Sequence, residues 1–193
     1  MRRWNGWGDA SYHLPLPPQG QDFLKARLGS AAPLAEADLE QVCTLVPESR
    51  IPQRRGVYRD AETRVRHARG QSLSDWLAMR SGDFSIFPDA VALPEHSDEV
   101  TQLLEWAREQ DLVVIPYGGG TSVAGHINPE ASSRPVLTPS LERMTRLLDL
   151  DDESQIATFG AGTPGPLVEA QLLAHGYTLG HFPQSFELST IGG

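Results

Sequence analysis

The most constraining feature of this chain is a run of three glycines and two hydroxyl residues, Gly118-Gly119-Gly120-Thr121-Ser122. It directly follows the apolar run Leu112-Val113-Val114-Ile115. The apolar run, continuous and rich in β-branched residues, reads as a buried strand. Three consecutive glycines remove every Cβ from the turn that follows and permit positive φ. The backbone can then approach a ligand closely, and successive N–H groups can converge on an anion. Thr121 and Ser122 add hydroxyl donors. Such a turn is a phosphate cradle without a lysine. A tight strand-to-loop turn is the alternative, but it needs one or two glycines and explains neither the third nor the hydroxyls.

Charge points the same way. The 193 residues carry a formal net charge of −9, unevenly spread. Residues 1–80 hold 12 Lys/Arg against 9 Asp/Glu, whereas residues 81–193 hold 4 against 16. If the acidic half binds a phosphorylated ligand, it must do so with backbone N–H groups. The net charge argues against duplex binding, so no nucleic-acid partner is expected. Hydrophobic residues are 39% of the chain, enough for a core and too many for a disordered chain. No stretch approaches the roughly 18 apolar residues of a membrane span. Met1-Arg2-Arg3-Trp4-Asn5-Gly6-Trp7-Gly8 has no apolar segment after its arginines, so no signal peptide is expected. Cys43 is the only cysteine, which excludes a disulfide framework or a Cys-based zinc site within one chain; the cytoplasm is the expected compartment. His13, His67, His96, His126, His175 and His181 have no metal-ligand spacing, and no metal site is expected. His126 and His181 flank glycine-rich loops and read as loop histidines with access to a ligand.

Along the chain, residues 1–20 read as an extended arm without periodicity. Helical signals follow over 21–28 and from Leu34 to Val46. The arginines between 50 and 70 read as a solvated, partly helical face, or else as a docking surface for a partner domain or an anionic headgroup. Ser72 to Arg80 reads as a helix with Ser72 as N-cap and Asp75 three residues on. Ala90 to Leu93 is a strand candidate. Ser97 is expected to cap a helix whose stripe is Val100, Leu103, Leu104 and Ala107. Val136-Leu137, Leu147-Leu148 and Gln155 to Phe159 are further strands. Thr163-Pro164 reads as cap and first helical residue, with Leu167, Ala170, Leu173 and Ala174 as the stripe and Gly176 as the stop. Strand and helix alternate in short units, giving an α+β or α/β fold.

Two nucleotide motifs fail. Gly120 and Gly125 have Walker spacing, but His126 and Ile127 stand where Lys and Ser/Thr are needed. Gly160-Ala161-Gly162-Thr163-Pro164-Gly165 is a literal GxGxxG. No acidic residue ends the next strand candidate, and Pro164 and Pro166 lack amide donors, so it reads as a glycine turn into a helix rather than a dinucleotide site. The segment from Gly180 to Gly193 mixes aromatic, polar and glycine residues, as in a loop that packs on a planar ligand. The closing Ile191-Gly192-Gly193 completes no element, so the expectation is a piece of a longer protein.

Ile115-Pro116-Tyr117-Gly118-Gly119-Gly120-Thr121-Ser122-Val123 resembles the FAD-pyrophosphate loop of the vanillyl-alcohol oxidase type flavoproteins, with their PCMH-type FAD-binding fold. Trp4-Asn5-Gly6-Trp7-Gly8, His67-Ala68-Arg69-Gly70-Gln71-Ser72-Leu73 and the Gly180 to Gly193 segment resemble the alkyldihydroxyacetonephosphate synthase family and its bacterial relatives. The glycine loop is shared with D-lactate and glycolate dehydrogenases, so the tryptophan-rich start is the more specific signal.

The resemblance implies an α+β fold: a mostly helical N-terminal arm and segment over 1–85, then a PCMH-type FAD-binding domain over 86–193, comprising the first subdomain and the start of the second. Pro116, Tyr117, Gly118, Gly119, Gly120, Thr121 and Ser122 would hold the FAD pyrophosphate. Gln184, Ser185, Phe186, Glu187, Leu188, Ser189 and Thr190 would line the flavin side, although Gln184 stands where the synthase pattern has an acid. Thr121 occupies the position of the histidine in relatives with histidyl-FAD, which implies non-covalent FAD. The implied activity is an FAD-dependent one of ether-lipid type, in which a fatty alcohol replaces an acyl chain without net redox change. The implied substrate is small or lipid-like and held by a cap domain beyond residue 193, as are the catalytic residues. A fragment of this kind would be inactive alone, and homodimerisation is compatible with it. An FAD-linked 2-hydroxy-acid dehydrogenase is the alternative enzyme, and a non-catalytic flavin-fold module is the third reading.

Overall fold

Two clusters of apolar side chains organise the chain in the computed structural model, which describes residues 2–32 and 34–193. Residues 2–9 are folded rather than extended. Arg2 pairs with Asp9 as an antiparallel bridge, and the Arg3 N–H donates to the Gly8 carbonyl. The glycines at 6 and 8 supply the turn that sequence periodicity could not register. Helix α1 (Pro18–Leu28) follows and buries none of its residues. Helix α2 (Leu39–Cys43) begins later than the signals from Leu34 suggest, because Asp38 and Gln41 form a capping box that fixes its start.

Strand β1 (Val57–Tyr58) precedes helix α3 (Ala61–Arg66), capped by Asp60, and helix α4 (Leu73–Ser81). Helix α4 starts as read from sequence, with the Ser72–Asp75 capping box in place, and Gly82 ends it at φ 72°. Val42, Val65, Ala68, Met79, Phe84 and Phe87 form the core between these short helices, with Trp4 packed against it.

Several of the arginines between 50 and 70 make internal contacts, although Arg50 and Arg55 remain exposed as a solvated face would be. Arg64 is 2% exposed and donates to the carbonyls of Pro88 and Pro47 at 2.6 and 2.7 Å. Arg50 forms a bidentate pair with Asp89 at 2.8 and 2.7 Å. Arg54 lies over Trp106 and Arg69 over Phe84. Segments with few apolar residues are thus stapled to their neighbours by guanidinium groups. Burial alone would raise the Asp89 carboxyl, but the hydrogen bonds from Arg50 and the Val136 N–H outweigh it and hold it below the usual carboxylate range.

Strands β2 (Ala90–Ala92), β3 (Val113–Val114) and β4 (Val136–Pro139) complete a four-stranded sheet of order β1-β2-β4-β3. Strand β2 is antiparallel to β1 and parallel to β4, which is also parallel to β3. Central β2 and β4 are fully buried. β3 is an edge strand and only half-buried, a correction to the buried strand expected over 112–115. Helix α5 (Ser97–Glu109) crosses between β2 and β3 and closes the other core on Leu103 and Ala107, with Ile51, Ala90, Ala92, Leu112 and Leu137. Leu104 of its expected stripe is exposed. The cap is His96 rather than Ser97, and it makes no side-chain bond; Glu99 instead accepts from the Glu95 N–H.

Strands β5 (Leu147–Asp151) and β6 (Ile156–Phe159) form an antiparallel hairpin, and helix α6 (Gly165–Leu173) follows. The helix is capped at Pro164, because the Thr163 hydroxyl is turned back onto the Gly160 carbonyl at 2.7 Å. It buries Val168 and Leu172, not the stripe of Leu167 and Leu173, which is exposed. Its sequence is apolar nearly all round, so periodicity carried no preference between faces.

Candidate functional site

The glycine run lies at the carboxyl end of β3. Past the strand the chain still tracks β4: the Ile115 N–H donates to the Leu137 carbonyl and the Tyr117 N–H to that of Pro139. The neighbouring parallel strand ends there too, so Leu141 arrives beside the run. Crevices outside the carboxyl ends of parallel strands are the usual ligand sites of such sheets. Here a cleft of about 370 Å³ is lined by Pro116 to Ser122 together with His126, Ile127, Leu141, Thr190, Gly192 and Gly193. No acidic side chain is among these lining residues, although the chain has a net charge of −9.

Each glycine has a packing reason of its own. A Cβ on Gly118 would lie 2.5 Å from Thr190 Oγ1, one on Gly119 1.8 Å from the Leu188 carbonyl oxygen, and one on Gly120 2.0 Å from the Tyr117 hydroxyl. Only Gly120 adopts positive φ, at 69°. The missing side chains therefore let the protein close on itself, rather than opening every position toward a ligand. The amides are what remains available. The N–H groups of Gly118, Gly119, Gly120, Thr121 and Ser122 donate to no described residue. Five consecutive such donors beside a cleft without acidic side chains suit an anion. They fit the pyrophosphate of FAD in donor type and number.

The floor and rear of the loop come from the helical half. Tyr117 is 4% exposed, its ring 4.7 Å from that of His67 and its hydroxyl donating to the Arg66 carbonyl at 3.2 Å. Burial pushes the Tyr117 phenol up and the His67 imidazole down, so the pair is neutral at pH 7. The Gln71 N–H donates to the Ser122 carbonyl at 2.6 Å, and a Cβ on Gly70 would lie 2.4 Å from that oxygen. Asn128 receives the Gly70 N–H and donates to buried Asp75 at 2.7 Å. The segment from His67 to Leu73, known from sequence only as a resemblance, is the wall that clamps the loop's far end. Ser122 and His126 also pair, Oγ to Nδ1, at 3.1 Å.

The second candidate segment is placed differently. Of Gln184, Ser185, Phe186, Glu187, Leu188, Ser189 and Thr190, only Thr190 lines the cleft. Gln184 and Glu187 are exposed, and Phe186 packs on Gly165 and Phe182. The N–H groups of Leu188 and Ser189 are taken by the Ser185 carbonyl. The fold nevertheless brings this segment onto the glycine run through Leu188 and Thr190. The Thr190 hydroxyl is buried without a partner among the described residues. His181 is exposed, away from the cleft lining. Among the described residues no group of His, Cys, Asp and Glu is arranged to hold a metal ion, and no helix is long and apolar enough to cross a membrane.

Sequence reasoning missed Leu141, Ile127 and Arg2, whose guanidinium donates to the Gly119 carbonyl at 2.5 Å. Strand pairing places Leu141 and chain reversal places Arg2, and neither leaves a local signal.

Comparison with known proteins agrees with this geometry. The family described as FAD binding domain matches residues 88–193. An alkyldihydroxyacetonephosphate synthase of Trypanosoma brucei brucei is 31% identical over 99% of this chain and 36% of its own length. The solved structure of an alkyldihydroxyacetonephosphate synthase superposes on all of this chain and 42% of its own, with TM-score 0.84 and 30% identity. The glycolate oxidase subunit GlcD of Bacillus subtilis is 28% identical over 57% of this chain and 23% of its own. The chain thus spans little more than a third of the length of the synthase from Trypanosoma. It belongs to the FAD-binding domain family, as a member similar to the alkyldihydroxyacetonephosphate synthases.

Proposed function

We propose that this chain is the FAD-binding part of a flavoenzyme with alkyldihydroxyacetonephosphate synthase-like chemistry, in which the amides of Gly118 to Ser122 hold the cofactor's pyrophosphate. The observation that carries the reading is the row of five N–H groups with no acceptor among the described residues, beside a cleft without acidic side chains. Backbone donors fixed by the surrounding fold need little reorganisation to meet an anion. Thr121 and the Ser122–His126 pair extend the donor row at its exposed end. Tyr117, neutral beneath the loop, keeps water from its underside. Bound FAD would supply an electron-accepting ring with an electrophilic N5. No residue of this chain is assigned a catalytic part.

Thr121 stands where relatives with histidyl-FAD carry the attached histidine, which supports a cofactor held non-covalently. The synthase reading is favoured over a 2-hydroxy-acid dehydrogenase because similarity to the synthase extends through the arm and helical segment, whereas similarity to GlcD covers 57% of the chain. A lipid-like substrate follows from that choice. Titrating FAD into the protein and following quenching of its fluorescence tests the site: saturable binding at one flavin per chain is expected, and none would refute it. Flavin released by acid precipitation supports the non-covalent link, and flavin retained in the pellet overturns it. In the full-length enzyme, rapid bleaching of bound flavin by D-lactate or glycolate would reverse the preference between the two enzyme classes.

A further inference from the structure

We propose that Arg2 is a positioning residue of the cofactor site: it locks the orientation of the Gly119–Gly120 peptide and so aims an amide of the glycine loop at the anion. The proposal rests on the FAD reading above and adds the amino-terminal segment to the binding apparatus.

A peptide between two glycines is the softest unit in such a loop. No Cβ opposes rotation of its plane, and a flip exchanges the faces on which its C=O and N–H stand. In one orientation the loop offers an anion a donor; in the other it offers a carbonyl, which repels it. The Arg2 guanidinium holds the Gly119 carbonyl at 2.5 Å. Because the peptide is planar and trans, the Gly120 N–H of the same unit points away from Arg2. Arg2 is not among the residues lining the cleft, so the cation stands behind the loop rather than in it. Its hydrogen bond to a carbonyl is charge-assisted and stronger than a neutral one.

Arg2 is itself held. Its backbone pairs with Asp9, and its carbonyl accepts from Arg66 Nη1 at 3.3 Å. Arg66 in turn pairs with Glu62 on α3 at 2.8 Å. The Arg66 carbonyl receives the Tyr117 hydroxyl, and that hydroxyl lies under Gly120. The peptide plane is thus fixed at the carbonyl of Gly119 by Arg2 and at the α-carbon of Gly120 by Tyr117. Both supports depend on residue 66.

The test compares the unaltered protein with Arg2→Ala and Arg2→Lys. FAD affinity is read by fluorescence titration, and folding by melting temperature without flavin. Arg2→Ala is expected to weaken FAD binding roughly 10- to 100-fold, the range for losing a charge-assisted hydrogen bond. Its melting temperature is expected to stay within a few degrees of the unaltered protein, and Arg2→Lys to restore most of the affinity. Unchanged affinity in Arg2→Ala overturns the positioning role and leaves the FAD reading standing. A loss that Arg2→Lys does not restore, with a parallel fall in melting temperature, also overturns it, making Arg2 a purely structural residue. An unaltered protein that binds no FAD removes both readings.

Discussion

The chain has two glycine-rich segments that look alike in sequence and differ in what their backbones do. In Gly160-Ala161-Gly162-Thr163-Pro164-Gly165 three of the five amide donors are consumed. The Gly160 N–H goes to the Arg146 carbonyl, that of Gly162 to Met144 and that of Thr163 to Gly160. Its glycines admit the chain at 141–145 and the Phe186 ring. In Gly118-Gly119-Gly120-Thr121-Ser122 the glycines also admit neighbouring chain, but none of the five donors has an acceptor among the described residues. Close packing explains glycine in both segments. Only unspent amides mark a place for an anion, and a count of glycines does not distinguish the two.

The strongest way to break this comparison is Gly119→Val. Its Cβ would fall 1.8 Å from the Leu188 carbonyl oxygen, so the two loops must part. FAD affinity is expected to fall roughly 100-fold or more, the equivalent of losing two charged hydrogen bonds. The melting temperature is expected to fall with it, because the contact is internal. Flavin titration and a thermal melt read both, and a variant that retains FAD at unaltered affinity would sink the cradle.

Gly160→Ala is the matched control. Its Cβ would lie 2.4 Å from the Met144 carbonyl oxygen, an overpacking strain of about 1–3 kcal/mol. Stability should drop in denaturant titration while FAD affinity of the folded protein stays within about twofold, since no donor of the cradle is touched. A large loss of affinity would make the second segment part of the site after all.

Acid should act on the supports of the first segment. His67 has its imidazole lowered by burial, so the unfolded chain binds a proton that the folded chain refuses. Stability is therefore full above the ordinary histidine value of 6.5 and declines as pH falls below it. Asp89, held low by Arg50 and Val136, adds a second loss as pH falls below the usual carboxylate range. Melting temperature measured from pH 8 to 3 should show both; a flat profile between pH 7 and 5 would contradict the buried neutral histidine.

The smallest expected effect is Thr190→Val. The substitution removes a buried hydroxyl without a partner among the described residues and keeps its shape, so the flavin-free protein should gain up to about 1 kcal/mol. A loss of stability in a thermal melt would show that this hydroxyl has a partner in solution.

Local chemistry settled much of this protein from sequence alone. The Ser72–Asp75 capping box of α4 depends on residues within one turn, and it stands as read. So does the glycine turn at the end of a strand, because an apolar run and the absence of Cβ atoms are local facts. The α+β class follows from the alternation of such runs. Tertiary structure decided what depends on partners distant in sequence. Helix α6 carries apolar residues on nearly every face, so only its neighbours choose Val168 and Leu172 as the buried pair. Arg50 and Arg64 became staples because the Asp89 carboxylate and the carbonyls of Pro88 and Pro47 happened to meet them. Whether a glycine-loop amide is free or spent is set by which carbonyl arrives opposite it, and Arg2 reaches Gly119 across 117 positions. A hydrogen bond has two ends, and a sequence window contains only one of them.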